Sequence, residues 1–264
     1  MFLPEIPSSE KLKLTVYCHG FKGFKDWGFV PHVHDFFVTE DHAFLTFNHS
    51  HNGVKSRDFD DLDSFSVNSV SQELRDMESI AFWLVNEGCE LYSIHPEKIS
   101  WLGHSRGGAN VLLFASKFPE YIDKVVTWAA VSNYQHLFRS LDIEKWKNDK
   151  IAYINNLRTQ QQMPLDYSIY QDLLDHKSEY DVLSAIQKVN KPVLLIHGKL
   201  DDVVPFQQAE ELFKACSHSV LIPVEDAGHT FGCAHPMKDL SEAPTYFWTV
   251  LDNTLEFISE DIEL

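Results

Sequence analysis

Six short, nearly unbroken apolar runs set the limits on what this chain can become. They are 12–18 (LKLTVYC), 43–48 (AFLTFN), 98–102 (KISWL), 124–130 (KVVTWAA), 192–197 (PVLLIH) and 219–224 (SVLIPV). Several are rich in β-branched and aromatic residues, and they do not alternate apolar with polar. Strands that are buried on both faces, as in a parallel sheet, read this way. Helical periodicity fills most of the gaps. In 68–86, Leu74, Met77, Ile80, Ala81 and Leu84 recur at three- and four-residue spacing, and further helices are expected over 105–117, 207–215 and 245–259. Strands alternating with helices predict an α/β fold, with a mostly parallel sheet of about six strands and helices on both faces.

The rhythm breaks between Ala130 and Lys191, where no clear strand stands out. A structureless loop of that length does not suit a compact domain. Apolar periodicity around 143–157 and 169–176 predicts a mostly helical insertion over 133–188, placed as a cap within a single domain spanning 1–264. A chain of 264 residues buries roughly three quarters of its unfolded surface and needs neither disulfide nor metal to hold it. The four cysteines, Cys18, Cys89, Cys216 and Cys233, are sparse and form no C-x-x-C pair, which reads as reduced thiols in a cytoplasmic protein. No signal-peptide pattern and no apolar run of membrane-spanning length is visible. The net charge of −17 argues against partners that present a phosphate backbone or an anionic membrane surface.

Chemistry enters at Gly103-His104-Ser105-Arg106-Gly107-Gly108. This G-x-S-x-G follows an expected strand and opens an expected helix, the context in which the motif presents a serine on a sharp turn. Ser105 would then project at the carboxyl end of the sheet, where open α/β sheets place their ligands. A serine hydroxyl is a weak nucleophile until a base removes its proton. Two later segments offer the partners. His197-Gly198-Lys199-Leu200-Asp201-Asp202 follows the fifth apolar run, and both acids are candidates. Asp201 is favoured, because Asp202 lies beside the turn into the next helix and suits a surface or capping role. Ala227-Gly228-His229-Thr230 follows the last run. His229 is one of fourteen histidines; its place, third in the order Ser, Asp, His, distinguishes it. An oxyanion needs a second backbone donor beside the one that follows the serine. Cys18-His19-Gly20-Phe21 at the end of the first strand supplies it, which assigns the N–H groups of Phe21 and Arg106. His19 reads as a brace for that loop.

These segments resemble the α/β-hydrolase superfamily along nearly the whole chain. The branch they are most similar to contains dienelactone-hydrolase-like proteins and cinnamoyl or feruloyl esterases. The resemblance rests on His-Gly-Phe at 19–21, Gly-His-Ser-x-Gly-Gly at 103–108, His-Gly-x-x-Asp at 197–201 and Gly-His at 228–229. It implies an α/β-hydrolase fold with a cap, and a serine esterase using Ser105, Asp201 and His229. The expected partner is a small-molecule ester with an aromatic or medium acyl group, and no cofactor is implied. Three departures stand out. Arg106 replaces a common Gln, the nucleophile is serine where dienelactone hydrolases use cysteine, and the leading hairpin of the full fold is expected to be missing or vestigial. Peptidase or amidase, thioesterase and acyltransferase activities would use the same triad, and a non-catalytic binding protein is the remaining alternative. Trp128 and Tyr134, near strand ends, are expected as walls of the substrate pocket. His32, His34, His49 and His51 lack an evident third ligand for a metal, and Asp58, Asp60, Asp61 and Asp63 read as a solvated acidic face.

Overall fold

The computed structural model describes residues 1–4 and 11–260. Six parallel strands form the main sheet: β1 (Leu12–Cys18), β2 (Ala43–Thr46), β3 (Ile94–His104), β4 (Val125–Trp128), β7 (Val193–Gly198) and β8 (Ser219–Val224). Their spatial order is β2-β1-β3-β4-β7-β8, with Val16 opposite Trp101 and Thr127 opposite both Gly103 and Leu195. Every residue of β4 and β7 is buried, which is why these runs carry no polar face. The chain enters at β1, steps outward to β2, then returns to lay β3 on the other side of β1. That reversal opens a crevice at the carboxyl ends of β1 and β3, the place where such sheets bind ligands.

Helices cover both faces. Against one face pack α3 (Val70–Trp83), α5 (Arg106–Lys117), α8 (Val182–Ile186) and α9 (Gln207–Ala215), in a core that includes Met77, Trp101, Phe114, Ile186 and Leu212. Against the other pack α1 (Val30–Thr39) and α10 (Thr245–Ser259), with Phe29, Val33, Phe37, Phe247 and Leu251. Strand alternation assigns side chains to the two cores. Val193 and Leu195 face the first, and Leu194 and Ile196 face the second, as a two-residue period requires. Short helices α2 (Leu62–Ser66) and α4 (Cys89–Leu91) flank α3; a π-helical turn over Leu84–Gly88 links α3 to α4. Among the described residues no helix is long and apolar enough to cross a membrane.

The insertion differs from the mostly helical expectation. It holds a 3₁₀ turn (Tyr134–Phe138), α6 (Ile143–Asp149), α7 (Ser168–Asp175) and α8, but its centre is an antiparallel hairpin of β5 (Ile151–Asn156) and β6 (Gln161–Asp166). The helix expected to run to 157 stops at Asp149, because Lys150 takes a left-handed conformation with φ 66°. Beyond it the burial alternates residue by residue, a period of two that helical counting overlooked. Tertiary packing holds the hairpin. Met163 and Leu165 are fully buried, and the indole N–H of buried Trp146 donates to the Leu165 carbonyl at 2.8 Å.

Candidate active site

The turn between β3 and α5 places Ser105 at φ 57° and ψ −119°, a conformation that costs energy for any residue with a side chain. Its surroundings enforce it. A Cβ on Gly107 would lie 2.2 Å from the Cys18 carbonyl oxygen, so only glycine lets α5 start this close to β1. Gly20 brings the neighbouring loop equally near; a Cβ there would fall 2.9 Å from Ser105 Cβ. Phe21 follows Gly20 in that loop and Arg106 follows Ser105, so both expected donors belong to the two segments that meet here. Among the described residues neither donates to another backbone or side-chain acceptor.

His229 and Asp201 come from distant loops to the same point. His229 Nε2 lies 3.0 Å from Ser105 Oγ, and His229 Nδ1 lies 2.8 Å from Asp201 Oδ2. Asp201 follows β7 and is buried, its Oδ1 accepting the backbone N–H groups of Val203 and Val204 at 2.9 and 2.7 Å. Burial opposes its ionisation. Hydrogen bonds from His197 and His229 and from Val204 N–H outweigh that cost and hold the carboxyl below the usual carboxylate range. Asp202, the rival acid, is exposed. The His229 loop is pinned by His104, whose Nε2–H donates to the His229 carbonyl at 2.9 Å. Burial pushes His104 down to about 3, with His229 adding to the effect, so it serves as a neutral donor.

His19 braces the β1 loop. Its Nδ1–H donates to the Gly20 carbonyl at 3.0 Å, while Nε2 accepts from the His49 backbone N–H at 3.3 Å and from Asn52 Nδ2 at 3.4 Å. Burial pushes it down to about 3, with His49 adding to the effect. His49 takes the opposite course. Burial would lower it, but Glu73, Cys18 and Asp76 together push it up to about 10. Among the described residues no group of three or more His, Cys, Asp and Glu is arranged to hold a metal ion. His49 lies 3.3 Å from Cys18 Sγ, and His51 Nδ1 lies 2.8 Å from Ser50 Oγ. The acidic cluster is structural: Asp60 ties the turn at 55–57, Asp61 caps α2, and Asp58 pairs with Arg158 and His235.

Two expected pocket walls fare differently. Trp128 is fully buried on the α1/α10 face, in ring contact with Phe29, Phe231 and Phe247, with its N–H donating to Thr254 Oγ1 at 3.0 Å. It shares its strand face with Val126, so the period of two directs it away from the crevice and corrects that reading. Tyr134 is buried too, but beneath the site: its hydroxyl donates to Asn110 Oδ1 at 2.7 Å. A cavity of about 260 Å³ opens on the far side of Tyr134, against Leu173 and Tyr180, and does not reach Ser105.

Sequence reasoning missed the buried polar cluster below the loop. Glu73 of α3 is fully buried. It pairs with Arg106, accepts Asn110 Nδ2 at 2.7 Å and accepts Asn68 Nδ2 at 2.8 Å. Burial opposes its charge, but Arg106 and His49 outweigh it and hold the carboxyl below its usual range. The only signal was a first-turn helix acid on the apolar side of its helix, four residues before Met77 and eight before Ala81.

The family model of the prolyl oligopeptidase family matches residues 34–253. The chain belongs to the prolyl oligopeptidase family. Among curated relatives of this family member, the serine hydrolase BPHL of Mus musculus is 26% identical over 147 residues, covering 50% of this chain and 49% of that protein. The pimeloyl-[acyl-carrier protein] methyl ester esterase of Aliivibrio fischeri is 23% identical over 180 residues, 57% of this chain and 70% of that protein. The chain thus spans about half the length of the first of these relatives. Est1E from Butyrivibrio proteoclasticus, solved with ferulic acid bound, superposes with a TM-score of 0.70 at 18% identity, covering 95% of this chain and 90% of that one. The shared architecture is the α/β-hydrolase fold.

The histidines fix an expected pH response of stability. His19, His104 and His42 are each pushed by burial to about 3, below the ordinary value near 6.5. Below pH 6.5 the unfolded chain takes up protons that the folded chain refuses, so stability falls as pH drops toward 3. His49, raised to about 10, contributes stability that is complete below pH 6.5 and lost as pH rises toward 10. The thermal midpoint should therefore peak near neutrality and fall more steeply on the acid side. A midpoint that stays level from pH 7 to 4.5 would contradict the assignment of these rings as neutral.

Proposed function

We propose that the chain hydrolyses a carboxylic ester by two-step acyl transfer, with Ser105 as nucleophile, His229 as general base and Asp201 as the orienting acid. The observation that carries this is the line of hydrogen-bond distances, 3.0 Å from Ser105 Oγ to His229 Nε2 and 2.8 Å from Nδ1 to Asp201. In the first step His229 takes the Ser105 proton as Oγ attacks the ester carbonyl. The negative oxygen lodges on the N–H groups of Phe21 and Arg106, and the start of α5 adds its dipole. His229 then gives its proton to the departing alkoxide, leaving an acyl-serine. Water, deprotonated by the same imidazole, attacks the acyl carbon, and the proton returns to Ser105 as the acid leaves. Asp201 holds the Nδ1–H tautomer and stabilises the imidazolium. No cofactor enters these steps.

The name of one curated relative favours an ester, and the fold shared with a ferulic-acid-bound protein supports an aromatic or medium acyl group. The family match favours a second reading, cleavage of a peptide or amide bond on the same triad. Matched p-nitrophenyl esters and p-nitroanilides of one acyl series, from acetyl to hydroxycinnamoyl, separate the two. Ester turnover exceeding anilide turnover by about 10³-fold or more at equal acyl group is the expected result, on the order of the effects a single catalytic group supplies. Comparable rates on the anilides would favour the amidase. Failure of a fluorophosphonate to label Ser105 would remove both readings and leave a binding protein.

A further inference from the structure

We infer that Arg106 is a positioning residue whose guanidinium ties the two oxyanion donors to each other. The inference rests on the acyl-transfer reading above and adds a role for a side chain that reading does not use. The backbone N–H of Arg106 is one donor. Its side chain does not reach for solvent; Arg106 is 3% exposed. The guanidinium carbon instead sits 4.7 Å from the centre of the Phe21 ring, and Phe21 carries the other donor. A planar guanidinium on an aromatic face is held by the ring quadrupole and by stacking. Beyond the ring, Phe65 stacks on Phe21 at 5.6 Å and Phe138 meets it edge-on at 6.1 Å. Phe21 is thus gripped from the α5 side and from the insertion side.

The guanidinium is itself fixed. Glu73 pairs with it, and Glu73 is held by Asn68 and Asn110, while Asn110 accepts the Tyr134 hydroxyl at 2.7 Å. A buried ion pair adds little net stability over an apolar pair of equal volume, because both charges lose their hydration. Such a pair on the residue that follows the nucleophile suits geometry better than stability. Oxyanion donors work only when they already point to where the charge develops. The Phe21 donor lies on a loop that includes Lys22, at φ 59°, and such a loop has no helix of its own to keep its N–H aimed. Arg106 supplies the missing reference by linking the Phe21 ring to the first turn of α5. Lysine has a point charge and no plane, so it would keep the charge without keeping the stack.

A double-mutant cycle on Arg106 and Phe21 tests this in the full chain. Removing Arg106 alone would strand a buried Glu73 charge, so every Arg106→Gln variant also carries Glu73→Gln, which leaves a neutral pair of similar volume, and Glu73→Gln alone, which keeps the guanidinium on the ring without its acid, is the parent of the cycle. In that background Arg106→Gln and Phe21→Leu are each expected to lower kcat on a short p-nitrophenyl ester by about tenfold or more, per site titrated with fluorophosphonate, with KM within about threefold. Together they should lose no more than the worse single variant, because both break one contact. Affinity for a phenylboronic acid, which forms a tetrahedral anion on the serine oxygen, should fall in step with kcat. A merely structural role would lower the melting temperature and the titratable fraction but leave kcat per titrated site and boronate affinity unchanged. Unchanged kcat per site overturns the inference, and so do losses that multiply to about a hundredfold. Should Arg106→Gln fail to fold, Phe21→Leu against Phe21→Tyr, which restores the ring, reads the same contact. Recovery of kcat in Tyr supports the inference, and equal loss in both overturns it. Ser105→Ala is the control: hydrolysis surviving there sinks the acyl-transfer reading itself, whereas loss there with a multiplicative cycle sinks only the role of Arg106.

Discussion

Replacing Ser105 by alanine should lower kcat on a short p-nitrophenyl ester by about 10⁴-fold or more while leaving the chain folded. The size follows from what the hydroxyl does in the proposed reaction. Without Oγ there is no acyl-enzyme, and the oxyanion donors and bound substrate alone leave only a residual rate. The fold should tolerate the change because the lost contact is small. Ser105 Oγ meets His229 Nε2 at 3.0 Å, and the His229 side chain keeps 15% of its surface exposed. Water can therefore satisfy the ring nitrogen that loses its partner. Alanine also keeps the Cβ, so the left-handed backbone at φ 57° bears the same cost as before. The expected measurement is a melting temperature within a few degrees of the parent and complete loss of fluorophosphonate labelling. A purified Ser105→Ala protein that keeps more than about a hundredth of the parent kcat would remove Ser105 as nucleophile, since no other group in the line could supply that rate.

The sheet and the loops that bring Ser105, Asp201 and His229 together could be read from residues because their causes are local. Continuous apolar runs such as PVLLIH mark strands covered on both faces, and Gly at 20, 103 and 107 marks the close approach around Ser105. The order Ser105, Asp201, His229 added a constraint that no single motif carries. What could not be read depended on partners far away in sequence. Glu73 reads as an ordinary first-turn helix acid until Arg106, Asn110 and Asn68 converge on it. The 151–166 hairpin has little β signal of its own, since Met163 and Leu165 gain their burial against elements outside it, α2 and α7 as well as Trp146. Trp128 was misplaced for a simpler reason. Its position at a strand end suggested the crevice, but the alternation shared with Val126 had already assigned it to the opposite core.

Asp201→Asn should prove nearly as damaging as loss of the serine, and for a reason visible in the hydrogen bonds. Asp201 Oδ1 accepts two backbone N–H groups, from Val203 at 2.9 Å and Val204 at 2.7 Å. An asparagine must therefore keep its carbonyl oxygen at that place, because the alternative would set NH₂ against two donors. Its NH₂ then occupies the position of Oδ2, 2.8 Å from His229 Nδ1. The ring nitrogen there must become the acceptor, which moves the imidazole proton to Nε2 and points it at Ser105. A protonated Nε2 cannot take the serine proton. The same NH₂ also confronts His197 Nε2, which lies 3.3 Å from Oδ2 and donates to the Val204 carbonyl at 2.8 Å, so neither orientation of the amide is satisfied. The expected loss in kcat is on the order of 10⁴-fold, the cost of holding the wrong tautomer, with KM little changed because no substrate contact is removed. Asp202→Asn, at an exposed neighbour, should stay within about twofold, as surface changes usually do. A smaller loss at 201 than at 202, or less than about a tenfold fall for Asp201→Asn, would transfer the orienting role away from Asp201 and undo the ordered triad.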